Sequence, residues 1–282
     1  NNAIRAVTQD GQTRTVAGGN YGHADGQGNR AAFVNPVAVA VDGTGRLAVA
    51  DTTELRLVSP GGQVTTLAGK DVASFADGAG VDARFNTICG VAFAPDGAIW
   101  LADAGNTRVR RVAPDGSTST IAGGAEAVAT DGPGATARFQ LPYGIALDPA
   151  GWAYVSDYTG HRIRRIDMRD PAHPVTTIAG SAAATSLDGP GAAATFAGPL
   201  GLALDGQGRL LVADGSAKRV RRIDLHDPAF PVTTVAGSGA YGFQDGPGES
   251  ATFAGLEWVT VFGDTLFTSG RYDSMIRKLV PR

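Results

Sequence analysis

RIRRIDMRDPAHPVTTIAG at residues 162–180 and RVRRIDLHDPAFPVTTVAG at residues 219–237 are identical at fourteen of nineteen positions. Chance does not produce such a match, and a period of this size marks a chain assembled from repeated supersecondary units. Working outward, Asp-Gly-x-Gly recurs five times, beginning at Asp25, Asp77, Asp131, Asp188 and Asp245, with spacings of 52, 54, 57 and 57. A phenylalanine follows every one of these aspartates: Phe33, Phe85, Phe139, Phe196 and Phe253.

Each unit holds four short apolar or β-branched runs separated by Gly, Pro and Asp turns, which reads as four strands. The first runs are of the type Tyr143-Gly-Ile-Ala-Leu-Asp148, and the second of the type Leu210-Leu-Val-Ala-Asp214. Arg-x-Arg-Arg third runs follow at 108–112, 162–166 and 219–223, then Thr-rich fourth runs closing on Ala-Gly at 64–69, 118–123, 175–180 and 232–237. No window sustains a helical period. Four strands per repeat is the pattern of a β-propeller blade. The Asp-Gly-x-Gly segments are expected to join the outer strand of one blade to the inner strand of the next. Their aspartates are expected to cap a single helical turn, and their phenylalanines to wedge between blades.

The pattern resembles the NHL repeat, a propeller family, through Gly-Ile-Ala-Leu-Asp at 144–148, Val-Ala-Asp at 212–214 and Asn106-x-Arg108-Val-Arg110. The resemblance covers essentially the whole chain. It implies a propeller that serves as a protein-interaction module, or in some members an RNA-binding, lyase or sensor domain, with gluconolactonase-like hydrolases as relatives. Fold alone does not choose among these.

The predicted fold is therefore a single all-β domain over residues 1–282, a five-bladed β-propeller. Its repeats are near 19–69, 70–123, 124–180, 181–237 and 238–282, the last closed by residues 1–18. Strand closure of this kind removes an open sheet edge. Both ends offer a third-strand candidate, 3–7 and 275–279, so a six-bladed ring with one incomplete blade is the alternative.

Composition narrows the function. Glycine supplies 40 of 282 residues without a triplet period, which excludes collagen, and 43% hydrophobic residues with 18% charged exclude a disordered chain. With 24 basic against 27 acidic side chains the formal net charge is −3, so nucleic acid is not an expected partner. No apolar run is long enough for a membrane-spanning helix. Cys89 is the single cysteine, so no intrachain disulfide and no cysteine metal site are expected. The chain starts at Asn1 and reads as a processed protein or excised domain, and its near-exclusive use of Arg over Lys suggests a GC-rich bacterial source. A secreted, periplasmic or cell-surface location is expected.

The four histidines, His23, His161, His173 and His226, do not share a repeat position, and no catalytic or metal-ligating set, and no cofactor, is expected. The arginines form a ladder, Arg56, Arg108, Arg162 and Arg219 with Arg110, Arg164, Arg221 and Arg277 two residues on. They are read as structural partners of Asp51, Asp103, Asp157 and Asp214. Symmetry breaks at the fifth repeat. It reads Leu256-Glu257-Trp258 where the others read Pro-x-Gly or similar, its second run ends Thr268-Ser269-Gly270 without an aspartate, and its third run is preceded by Arg271-Tyr272-Asp273. Its flanking connectors carry Tyr21 and His23, and Tyr241 and Phe243. Tyr21, His23, Tyr241, Phe243, Glu257 and Trp258 are thus the candidate ligand-binding residues of a non-catalytic binding or scaffolding propeller for a protein, peptide or carbohydrate. The alternatives are a lactonase-like or lyase-like enzyme and an RNA-binding propeller.

Overall fold

A computed structural model describes residues 2–270 and 275–280, so Arg271-Tyr272-Asp273 lie outside the described residues. The fold is an all-β, five-bladed β-propeller of antiparallel meanders. The chain divides into two compact units, Asn1–Ala125 and Glu126–Arg282.

The first unit contains a two-stranded sheet, Ala3–Val7 with Thr13–Gly18, and two blades. Blade one is Pro36–Val41, Leu47–Asp51, Glu54–Val58 and Gln63–Gly69; blade two is Ile88–Phe93, Ile99–Asp103, Arg108–Val112 and Ser117–Gly123. The second unit contains blade three (Pro142–Asp148, Trp152–Asp157, Arg162–Asp167, Val175–Gly180) and blade four (Pro199–Leu204, Arg209–Asp214, Arg219–Asp224, Val232–Ala236). Blade five contributes Trp258–Phe262, Thr265–Ser269 and Ile276–Leu279.

The third and fourth strands of blades one to four share a register shift, at Leu55/Arg56, Val109/Arg110, Ile163/Arg164 and Val220/Arg221. The same shift falls at Ile4/Arg5 in the N-terminal pair, so that pair repeats the register of third and fourth strands. The Asp-Gly tracts fold back onto the blade they precede. Gly26–Gln27 pairs with Gln63–Val64, Gly78–Ala79 with Ser117–Thr118, and single bridges join Gly132 to Val175 and Gly189 to Val232. Each of these four tracts thereby covers an outer sheet edge that would otherwise present unpaired backbone groups.

One side-chain cluster repeats in blades one to four. Arg56, Arg110, Arg164 and Arg221 are completely buried. Each forms an ion pair with the aspartate ending its own second strand: Asp51 (3.4 Å), Asp103 (2.7 Å), Asp157 (3.4 Å) and Asp214 (3.3 Å). Its other terminal nitrogen meets the Asp of the Asp-Gly tract, Asp25, Asp77, Asp131 or Asp188, at 2.6–2.7 Å. The guanidinium also lies 5.1–5.3 Å over the ring of Phe33, Phe85, Phe139 or Phe196. In blade five, Arg277 keeps Asp245 and Phe253 but has no second-strand aspartate. Buried charge is tolerable only when paired and hydrogen-bonded, and backbone carbonyls such as Thr195 and Leu187 around Arg221 complete the set.

Two sequence expectations are corrected here. The tract aspartates do not cap a helical turn: the 3₁₀ turn Gly28–Arg30 is preceded by Gln27, with no side-chain cap, while Asp25 accepts from Arg56 and from the Thr66 amide and hydroxyl. Arg56 belongs with Arg110, Arg164 and Arg221 rather than with Arg108. The blade-one turn is two residues shorter, so Glu54, opposite Asp51, takes the place of Arg108.

Where adjacent blades lie within one unit, the phenylalanines do wedge between them. Phe196 joins Ile163, Ile178 and Ala179 of blade three to Leu202, Leu210 and Ile223 of blade four, and Phe253 does the same for blades four and five. A Cβ on Gly180, at φ +90°, would lie 2.3 Å from the His161 carbonyl, so the strand can end there only as glycine.

Replacing Arg221 by Met keeps the stem but strands two carboxylates, one of them fully buried. A loss of about 3–5 kcal/mol is expected in urea unfolding. Arg219→Met, at a half-buried position bonded to backbone carbonyls, should lose less than about 1 kcal/mol. Equal losses would contradict the structural role given to the inner arginine.

Candidate functional site

The first strands of blades three to five lie side by side because glycine permits it. Ser156 accepts from the Gly144 amide and donates to the Leu200 carbonyl (2.7 and 2.6 Å), and Gly201 donates to the Glu257 carbonyl (2.9 Å). A Cβ on Gly144 would lie 2.3 Å from the Leu200 carbonyl oxygen, and one on Gly201 2.8 Å from the Trp258 ring.

This alignment brings the residue at x of Pro-x-Gly in each blade to the same strand end. The slot holds Tyr143 in blade three, Leu200 in blade four and Glu257 in blade five, while Trp258 takes the glycine position. The Tyr143 hydroxyl donates to Glu257 Oε1 at 2.6 Å, across 114 residues of sequence. The Tyr143 ring lies 5.9 Å from Trp258 and 6.1 Å from Tyr158, at interplanar angles of 38° and 50°. All four side chains are half-buried. The result is a row of three rings with one carboxylate at its side.

Other carboxylates near these strand ends are committed to the scaffold. Burial pushes the Asp157 and Asp214 carboxyls up, and they accept backbone amides of the segment before the first strand, Gln140 and Leu141 for Asp157, Ala197 and Gly198 for Asp214. Asp51 and Asp103 do the same for Val34 and Asn35 and for Asn86. Blade five has Gly270 in that position, which frees the approach to its first strand to depart from the pattern. Among the described residues no group of three or more His, Cys, Asp or Glu is arranged to hold a metal.

Of the residues singled out in the sequence, Glu257 and Trp258 sit in this cluster. Tyr241 and Phe243 form a separate edge-to-face pair, with centroids 6.0 Å apart, exposed at 65% and 51%. Tyr21 and His23 belong to the first unit. Tyr21 is 76% exposed, and His23 lies between Glu54 and Asp71, with a ring nitrogen 3.1 Å from each. Sequence reasoning missed Tyr143 and Tyr158. The signal for Tyr143 was present: it occupies a slot that is Val37, Cys89 and Leu200 in three other blades.

No family model matches the chain. A 96-residue stretch, 34% of the chain, is 36% identical to protein SUPPRESSOR OF QUENCHING 1, chloroplastic, of Arabidopsis thaliana, and spans only 9% of that protein. The fold is similar to a protein of unknown function from Bacteroides thetaiotaomicron, with TM-score 0.58, 21% identity, and 95% of this chain and 79% of that one covered. It is also similar to an auxiliary nutrient binding protein from Bacteroides ovatus, with TM-score 0.69, 18% identity, and 99% of this chain but 64% of that one covered. At these identities the two structures share the fold.

The tract aspartates set an acid limit on stability. Burial pushes the Asp188 carboxyl up, but the Thr234 amide, the Thr234 hydroxyl and Arg221 outweigh it and hold Asp188 below the usual carboxylate value of 3.8. Its contribution is therefore complete above 3.8 and is lost as pH falls through the lowered value. The gap in melting temperature between wild type and Asp188→Asn should be widest near neutrality and narrow below pH 3.8. A gap that widens in acid would reverse this assignment.

Proposed function

We propose that the chain is a non-catalytic, NHL-type binding propeller that takes a carbohydrate, peptide or protein ligand on the face around blade five. One observation carries this reading: the Tyr143–Glu257 hydrogen bond holds a carboxylate beside three half-buried rings, at the place where the repeat is broken. Ring faces pack against the apolar face of a sugar or against side chains of a peptide, and the carboxylate accepts hydrogen bonds from hydroxyl, amide or ammonium groups. A single carboxylate without a second acid or base at that strand end suits binding better than glycoside hydrolysis, which uses a pair. The exposed Tyr241–Phe243 pair adds contact surface on the connector before blade five. The similarity in fold to an auxiliary nutrient binding protein supports the same reading. Among the described residues no helix is long and apolar enough to cross a membrane. This reading takes the chain as part of a bacterial protein that acts outside the cytoplasm, and the Bacteroides source of the similar nutrient binding protein supports it.

Glycan and peptide arrays probed with the wild-type chain test the proposal. Trp258→Ala combined with Tyr241→Ala should abolish binding while the melting transition survives, since neither residue is a wedge phenylalanine or a buried arginine. Hot-spot aromatics typically cost about 2 kcal/mol or more when truncated, roughly thirtyfold in affinity. Glu257→Gln, which keeps an acceptor for Tyr143, should weaken ammonium-bearing ligands more than neutral ones. Array binding that is unchanged in the double variant rejects this face as the site.

A further inference from the structure

One face of blade four carries a groove whose counterpart in blade three is filled by a tryptophan ring. The groove has a volume of about 210 Å³ and is lined by Arg209, Arg222, Asp224, Pro231 and Thr233. Strand register explains why these residues meet: Arg209 is opposite Asp224, and Arg222 is opposite Thr233. In blade three the matching positions are Trp152, Arg165, Asp167, Pro174 and Thr176. There the Trp152 ring fills the space, with the Arg165 and Arg169 guanidinium groups 4.1 and 4.3 Å from its centroid. In blade four Arg209 replaces the tryptophan and His226 replaces Arg169, so two guanidinium groups face an open groove with no ring between them.

The hydrogen-bonding inventory of the groove is unbalanced. Arg209 uses Nε on Asp205 (2.6 Å), which leaves its two terminal nitrogens for a ligand. Beyond the backbone pairing of its strand, the Arg222 guanidinium makes no hydrogen bond, ion pair or ring contact among the described residues. The Thr233 hydroxyl adds a donor. Asp224 uses Oδ1 on the His226 amide (3.0 Å) and keeps Oδ2 as an acceptor. Forked guanidinium groups match the oxygens of a tetrahedral or planar oxyanion. The carboxylate selects further: a fully deprotonated anion would set lone pairs against Asp224, whereas one that retains a proton donates it there.

We propose that this groove binds inorganic phosphate as hydrogen phosphate, held by Arg209 and Arg222 and donating its P–OH proton to Asp224. Sulfate has no such proton at neutral pH. A phosphate monoester has lost its own above a second ionisation near pH ~6. Inorganic phosphate keeps one well above that. The inference is independent of the aromatic cluster and of any ligand bound there.

Calorimetric titration of the unaltered chain with inorganic phosphate, sulfate and methyl phosphate, at slightly alkaline pH, tests it. Phosphate should bind at least about tenfold more tightly than either competitor. Arg222→Gln should weaken phosphate by about tenfold or more, and Asp224→Asn should erase the preference over sulfate, with melting temperatures of the ligand-free variants unchanged. Sulfate or methyl phosphate binding as well as phosphate to the wild type overturns the proposal. So does phosphate binding indifferent to Arg222→Gln, or the absence of any heat at millimolar phosphate. The comparison of anions on the wild type needs no variant to fold.

Discussion

A guanidinium group sealed inside each of the first four blades, between two carboxylates and over an aromatic ring, organises the molecule. The arginine reaches from the third strand to the end of the second, to the Asp-Gly tract and to the carbonyls beside the wedge phenylalanine. A fully buried charge demands that every partner be in place. The cluster therefore fixes how the tract lies along the outer strand and where the phenylalanine enters. The four cluster arginines, Arg56, Arg110, Arg164 and Arg221, each leave Nε without a partner, so the arrangement is tuned to the two terminal nitrogens. Stability in a small-cored blade of this kind is tied to geometry as much as to apolar area.

Much of this was legible in the sequence. Near-identity of 162–180 and 219–237 gave strands and period together, and the five phenylalanines were read as wedges. Arg–Asp pairing was anticipated because both residue types recur in step. What escaped was the partner of the tract aspartate. Asp-Gly followed by a turn reads locally as a cap, but the atoms that bind Asp25 come from Arg56 and Thr66, some 31 and 41 residues later. The place of Arg56 was misjudged for a related reason: a turn two residues shorter moves the arginine out of its apparent column while pairing restores it.

The candidate site was half visible. Glu257 and Trp258 announce themselves by replacing small or apolar residues in a repeated motif. Their ring neighbours Tyr143 and Tyr158 do not, because Tyr143 sits inside a strand whose apolar pattern accepts tyrosine without protest. Only the packing of three first strands, allowed by Gly144 and Gly201, shows that the tyrosine hydroxyl and the glutamate share one strand end. Proximity across 114 residues belongs to the fold and has no local signature.

The aspartate that closes each second strand holds the next segment through main-chain amides: Val34 and Asn35, Asn86, Gln140 and Leu141, Ala197 and Gly198. Every residue except proline offers that amide, so the anchor is indifferent to side-chain identity. Mutation can therefore explore the chemistry displayed there while the architecture stays fixed. The anchored positions accordingly hold residues as different as valine, asparagine, glutamine, leucine, alanine and glycine, with the same aspartate contact beneath them.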